Sequence, residues 1–424
     1  MTATPPHEAA RRRLERARDR AVAERTHTAE ALRARPDYGP AWEYFLARLS
    51  DDAGSAAQRT GRPPVFTLCV QTPLEILHAL GFLSWRIFDS RSAHDQIATR
   101  DLPTLACPML RAAAGALLTE TAVLPDGGES IPWVVPTTCD WVARFPDMMA
   151  LAGAPGPLRL HWLDLPRLKE HPESQARWRE EIRRLIGFLE EVSGRRLTAK
   201  ALAASMDTYQ SAWSTFGRLI DPRREGRIST PLFLLVANAF GRDTPESWTR
   251  AVEDLLSALP SDIPRPGGFK AARSRVFLSG APVYFPNYKL PLLMEEAGLT
   301  ATADDLCSSE RIFPGAAFAR DPSLPGLATA LAERYHQGCL CPTFSGNDRR
   351  PAALVQRAGE VAGVVFHVLK GCHPHDLDSF IMERAAKRLG LRFLRLETDY
   401  APEDASNLAT RLEAFAASFR GGTP

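Results

Sequence analysis

Apolar positions recur three or four apart from Ala9 to about Leu49, broken once by proline before AWEYFLARL, which predicts an N-terminal helical extension over residues 1–60. The stretch Asp51 to Pro64, rich in Gly, Ala, Ser and Pro, has the composition of a linker. At VFTLCV the pattern changes to a short apolar run, a strand over Val65 to Val70. A helix opened by Pro73 and stopped at Gly81 follows, then a strand in SWRIF that ends at Asp89. Trp133 to Val135 reads as a further strand running into a loop at Pro136 to Asp140, with a helix from Pro146 and a strand-like LRLHWLDL after it. Residues 61–166 therefore form a first α/β lobe. Residues 167–270 keep a helical period, closed in one place by Gly194. From 271 to 424 the alternation returns: RVFLSG, a helix in YKLPLLMEEAG, LTATADDL, GVVFHVL, a helix from Asp376 to Leu389, LRFLRLETD, and a last helix from Glu403 to Phe419.

The two lobes repeat each other. VFTL leads through Pro73 to Gly81 and Asp89 as VFLS leads through Pro286 to Gly298 and Asp304. Cys107-Pro108 lies 32 residues before Cys139, and Cys341-Pro342 lies 31 before Cys372. Cys139 and Cys372 each follow a Val-Val strand and precede a helix and another strand. The expected architecture is α/β, with two Rossmann-like (flavodoxin-like) parallel-sheet lobes, a helical segment between them and the N-terminal helical extension.

Composition narrows the classes. The 424 residues carry 52 Lys plus Arg against 50 Asp plus Glu, a net charge of +2 that gives no sign of a nucleic-acid partner. No run approaches about 18 uninterrupted apolar residues, so no membrane span is expected. The N-terminus lacks the apolar core of a signal peptide, which points to the cytoplasm. Thiols stay reduced there, and seven cysteines, an odd number, do not form a disulfide framework. No GxxxxGK[ST] or GxGxxG motif connects a strand to a helix, so the chain is not expected to bind ATP itself.

Ligand sites in open α/β sheets lie beyond the carboxyl ends of the strands, where Cys107, Cys139 and Cys372 are expected. If the lobes face one another, thiolates from both meet in the cleft and suit zinc, copper or an iron–sulfur cluster. The plainer alternative is that they are small buried apolar residues. No CxxC pair is present, and the short Cys339-Leu-Cys341-Pro is a weak metal signal.

Several separated motifs carry a resemblance that runs from about Val65 to Phe419. They are CVQTPLEILHALGFLSWRIFD, the CP at Cys107, TTCD at Thr137 to Asp140, RWREEIRRLIGFLEEVSGRRLT, SGAPVYFPNYKLPLLMEEAG, ADDLC, CLCP, HVLKGCHP and ETDYAPEDASNLATRLEAF. In these the chain resembles the 2-hydroxyacyl-CoA dehydratase and benzoyl-CoA reductase family, including 2-hydroxyglutaryl-CoA dehydratase D-components and double-cubane cluster proteins. The resemblance implies a [4Fe-4S] cluster held by Cys107, Cys139 and Cys372 with one iron left open. In the family that iron binds the thioester carbonyl of a 2-hydroxyacyl-CoA, one electron makes a ketyl radical, and water is lost. It also implies an ATP-dependent iron–sulfur activator protein, and a homodimer or a heterodimer with a paralogous subunit. The enzyme is then a 2-hydroxyacyl-CoA dehydratase-like lyase. The alternatives within the family are a double-cubane [8Fe-9S] oxidoreductase of small molecules, for which Cys307, Cys339 and Cys341 would supply further ligands, and a non-catalytic partner subunit. The chain departs from the family pattern in its Arg-rich N-terminal extension, in His-Pro-His after Cys372 and in GNDRR.

Glu75, two residues past Pro73, is the candidate for moving a proton during dehydration; otherwise it is an exposed first-turn acid favoured by the helix dipole. His78 reads as a packed helix histidine, and His367, His373 and His375 as hydrogen-bonding support around Cys372 or further ligands. Asn287 and Lys289 in PNYKL either hold a CoA phosphate at a helix start or position the helix. Glu397, Asp399, Arg411 and Glu413 read as a structural network.

Overall fold

The computed structural model describes residues 6–120, 131–151, 159–260, 274–313, 315–338, 340–345 and 349–419. Two parallel four-stranded sheets lie at its centre. The first contains β1 (Pro64–Thr67), β2 (Leu83–Arg86), β3 (Trp133–Pro136) and β4 (Leu160–Leu163), ordered β2-β1-β3-β4. The second contains β5 (Ser274–Gly280), β6 (Leu299–Asp304), β7 (Gly363–Leu369) and β8 (Arg392–Thr398), ordered β6-β5-β7-β8. The two orders are the same, so the duplication legible in the sequence is a duplication of topology. Helices cover both faces, so inner strands read as continuous apolar runs; all seven residues of β7 are buried. In each sheet the order reverses between the first and third strands, which opens a crevice at their carboxyl ends. Cys69 and Cys139 follow β1 and β3, and Cys372 follows β7.

Most strands match the runs that predict them, β7 residue for residue, but β1 is shorter. β1 stops at Thr67 because Cys69 to Thr72 turn, with Thr72 N donating to Cys69 O at 3.3 Å. The linker reading of Asp51 to Pro64 is corrected: Ala53–Thr60 is a helix. Asp52 caps it by accepting from Ser55 N at 2.8 Å, its stop is Gly61 at φ 65°, and Ala53 and Ala56 are buried against the first lobe. Small apolar side chains, taken as a mark of flexibility, are here what lets the helix pack closely.

The helices between the sheets include Pro172–Ser193, Ala199–Gly217 and Thr230–Ala239, the last buried at every position. The N-terminal helix Pro6–Arg33 is bound into the body: Glu24 accepts from Ser92 N and Ala93 N at 2.7 and 2.8 Å, and Thr28 donates to Pro286 O at 2.9 Å. The lobes meet where the loop after β2 touches the loop after β5. Ser90 Oγ donates to Tyr284 O at 2.7 Å and accepts from Asn287 N at 3.1 Å. Among the described residues no helix is long and apolar enough to cross a membrane.

Burial pushes the imidazoles of His161, His336 and His367 down to about 4. His367 is fully enclosed, with Nδ1 3.1 Å from Ala281 O and Nε2 2.8 Å from Thr398 Oγ1. An unfolded chain protonates these rings near pH 6.5, the native chain only near 4, so their contribution to stability is whole above pH 6.5 and is lost as pH falls towards 4. The melting temperature is expected to fall across that window, and His367→Gln to flatten the fall. A melting temperature constant from pH 7 to 4.5 would contradict this.

Candidate metal centre

Cys107, Cys139 and Cys372 share one local design. Each directly precedes a helix: Pro108–Glu120, Asp140–Ala143 and His373–Arg388. Backbone N–H groups of the first turn donate to each sulfur, from Met109 and Leu110 to Cys107, from Trp141 and Val142 to Cys139, and from His375 to Cys372. Such donors, at the positive end of a helix, favour a thiolate over a thiol.

Cys107 and Cys372 pack in one apolar group, and Cys139 lies within reach of their charge. Cys372 packs against Cys107, and the interaction of the two sulfurs holds Cys107 below the ordinary thiol range although burial opposes it. The same contact, with burial, pushes Cys372 well up. Burial pushes Cys139 up to about 11, and the charge of Cys107 adds to it. Gly371 makes the approach possible: it has φ +75°, and a Cβ there would stand 2.5 Å from Leu105 O. Arg111 braces the other side, donating to Ala106 O at 2.9 Å and to Asp95 at 2.6 and 3.0 Å.

Two more cysteines extend the group. The charge of Cys341 reaches both Cys139 and Cys307, and Thr343 Oγ1 donates to Cys341 Sγ at 3.2 Å. Cys339 lies outside the described residues. Arg350, almost wholly buried, pairs with Asp305, two residues before Cys307, and with Asp378 on the helix that Cys372 opens, the latter at 2.8 Å. It ties the carboxyl end of β6 to the helix that follows β7.

Among the described residues no three His, Cys, Asp or Glu side chains stand close enough to enclose one metal ion. A cubane makes a different demand, because its thiolates bind separate irons around an inorganic core. Three converging sulfurs from two lobes, backed by N–H donors and walled by Ala112, Ala281, Leu369 and Tyr400, fit that demand.

The other candidates sit elsewhere or are engaged. Glu75 is neither exposed nor free: it is completely buried, paired with Arg334, and accepts from Tyr335 Oη at 2.9 Å. His78 is packed as expected, with Nδ1 2.9 Å from Ser205 Oγ. His367 bridges β5 and β8 ends, His375 is buried and His373 exposed. Lys289 binds Asp404 and the carbonyls of Asp399 and Ala401 at 3.1 and 2.6 Å, which leaves it engaged within the fold and not presented to a phosphate. Asp399 pairs with Lys370 at 2.6 Å and Arg411 donates to Arg395 O at 2.7 Å, a structural network.

Residues 69–418 match the family described as 2-hydroxyglutaryl-CoA dehydratase, D-component. The chain belongs to that family. A curated relative is "Putative dehydratase subunit YjiM" of Escherichia coli (strain K12), 27% identical over 365 residues that cover 84% of this chain and 91% of the relative. The D-component match begins at Cys69, just past β1, and takes in all the cysteines named above and both crevices. Nothing in the sequence marks Arg111, Arg350 or Tyr400: Arg111 binds nearby Asp95 and Ala106, Arg350 pairs with Asp305 and Asp378, and Tyr400 packs on residues of the first lobe.

Proposed function

We propose that this D-component family member is the iron–sulfur subunit of a radical 2-hydroxyacyl-CoA dehydratase or a related low-potential reductase. One observation carries the reading: Cys107 of the first lobe packs against Cys372 of the second, with Cys139 within reach of their charge, and each of the three directly precedes a helix. When bound by Cys107, Cys139 and Cys372, a [4Fe-4S] cluster supplies one-electron chemistry and an open iron. The chain's own residues orient the sulfurs, supply N–H donors to them and keep water from one side through the apolar wall around Leu369 and Ala281. An apolar cavity of about 460 Å³ shares Tyr400 with that wall and has Arg20 and His27 among its lining residues, a character suited to an acyl-CoA thioester. The family resemblance implies an ATP-dependent activator as the electron source. The exposed stripe Leu377, Phe380 and Ile381, on the helix that Cys372 opens, supports a protein partner close to the centre, a paralogous subunit or a second copy included.

One observation favours a second reading. The charge of Cys341 reaches both Cys139 and Cys307, so further thiolates are near enough to serve a double-cubane [8Fe-9S] centre. Assay separates the two. Anaerobic protein with its activator, ATP and a low-potential donor is expected to convert a 2-hydroxyacyl-CoA to the enoyl-CoA, followed by the absorbance of the conjugated thioester, with Cys139→Ser inactive. Iron-loaded protein that is inert towards the thioester but reduces small molecules would favour the double cubane.

A further inference from the structure

The loop after β8 brings an unpaired donor to the sulfurs. Tyr400 is buried, and its hydroxyl has no solvent and no hydrogen-bond partner among the described residues. Its ring belongs to the apolar group that contains Cys107, Ala281 and Leu369 and on which Cys372 packs. A buried hydroxyl without an acceptor is costly and uncommon in native proteins. The groups whose charge reaches it are Cys107, Asp89, Asp95 and Tyr284. Both carboxylates are already engaged: Asp89 accepts from Arg91 N, Arg91 Nε and His94, and Asp95 takes a two-pronged contact from Arg111. Tyr284 Oη is likewise buried without a partner, and Cys107 is the polar neighbour that shares the apolar group of Tyr400 itself.

The backbone around this residue is fixed from the second lobe. Asn287 Nδ2 donates to Tyr400 O at 3.1 Å, while Lys289 Nζ donates to the carbonyls of Asp399 and Ala401 on either side. Three consecutive carbonyls are thus gripped by two side chains of PNYKL. This accounts for Asn287 and Lys289 without a phosphate: they set the place of the phenol.

We propose that Tyr400 is a positioning donor to the iron–sulfur centre, its O–H directed at the Cys107 sulfur or a sulfide beside it, with Asn287 and Lys289 holding it in register. The proposal rests on the cluster reading above. A hydrogen bond to sulfur draws off negative charge and stabilises the reduced form, which raises the reduction potential. Midpoint potentials of anaerobic, iron-loaded protein, from titration followed by electron paramagnetic resonance, test it. Tyr400→Phe keeps the ring and removes the donor; it is expected to hold wild-type iron and to titrate at a more negative potential. Lys289→Met is expected to shift the potential in the same direction through the displaced loop. An unmoved or more positive potential in iron-replete Tyr400→Phe overturns the proposal. Loss of iron from that variant also overturns it, since the hydroxyl is assigned a tuning role and not a holding one. Wild-type protein without iron would instead remove the cluster reading itself.

Discussion

Cys372→Ala is expected to yield folded protein without iron. The centre as described takes two sulfurs from the first lobe and one from the second, and Cys372 is that one. Its removal leaves Cys107 and Cys139 alone, without the sulfur that anchors the centre to the second lobe. Stability should change little, because the residue is small and opens a helix whose packing lies further along, at Met382, Ala385 and Ala386. Gly371→Ala is expected to have the same consequence with every thiol present. Its φ of +75° is unfavourable for alanine, and the added Cβ would press on Leu105 O, driving the Cys372 turn away from the Cys107 turn. The checks are iron per chain after anaerobic purification and a thermal melt. Full iron in Cys372→Ala would remove this residue from the ligand set.

The second large effect is on stability. Glu75→Ala is expected to cost about 3–5 kcal/mol, the range for removing one partner of a buried ion pair, out of a total of roughly 5–15 kcal/mol. Glu75 and Arg334 are both enclosed, and the guanidinium lies 4.2 Å over the Trp213 ring, so without the carboxylate its charge has nowhere to go. Tyr335 would lose its acceptor as well. Replacing both members of the pair with methionine should recover much of the loss, because the cost comes from the stranded charge more than from the missing contact. Denaturant midpoints of the two single variants and the double variant measure this. Glu75→Gln separates clamp from proton carrier: near-wild-type stability with turnover abolished would place Glu75 in the chemistry, whereas lowered stability with turnover retained fits the clamp.

The parts of this molecule that were legible before any coordinates are those written locally. Fully buried parallel strands leave unbroken apolar runs such as GVVFHVL, and the repeated spacing of Cys-Pro to the next cysteine reflects two sheets of the same strand order. Cys139 and Cys372 stand just past β3 and β7 as expected, whereas Cys107, expected at a strand end, lies beyond a further helix, Ser92–Ala98, at the start of Pro108–Glu120. What stayed hidden depends on partners far away in the chain. Glu75 reads as a surface acid until Arg334, 259 residues on, is folded against it. Lys289 reads as a phosphate ligand until the loop after β8 takes up its donors. The helix Ala53–Thr60 was missed for another reason: Ala, Gly and Ser in a short stretch have a linker's composition, and only the Asp52 cap and the burial of Ala53 and Ala56 distinguish it.

The account stands on one inorganic centre gripped from both lobes. The most direct test is iron and sulfide content of anaerobically isolated protein, combined with Mössbauer spectroscopy. About four irons per chain with the signature of a cubane are expected, and about eight for the double-cubane alternative. Well-folded protein with neither iron nor sulfide, unchanged after anaerobic reconstitution, would contradict it.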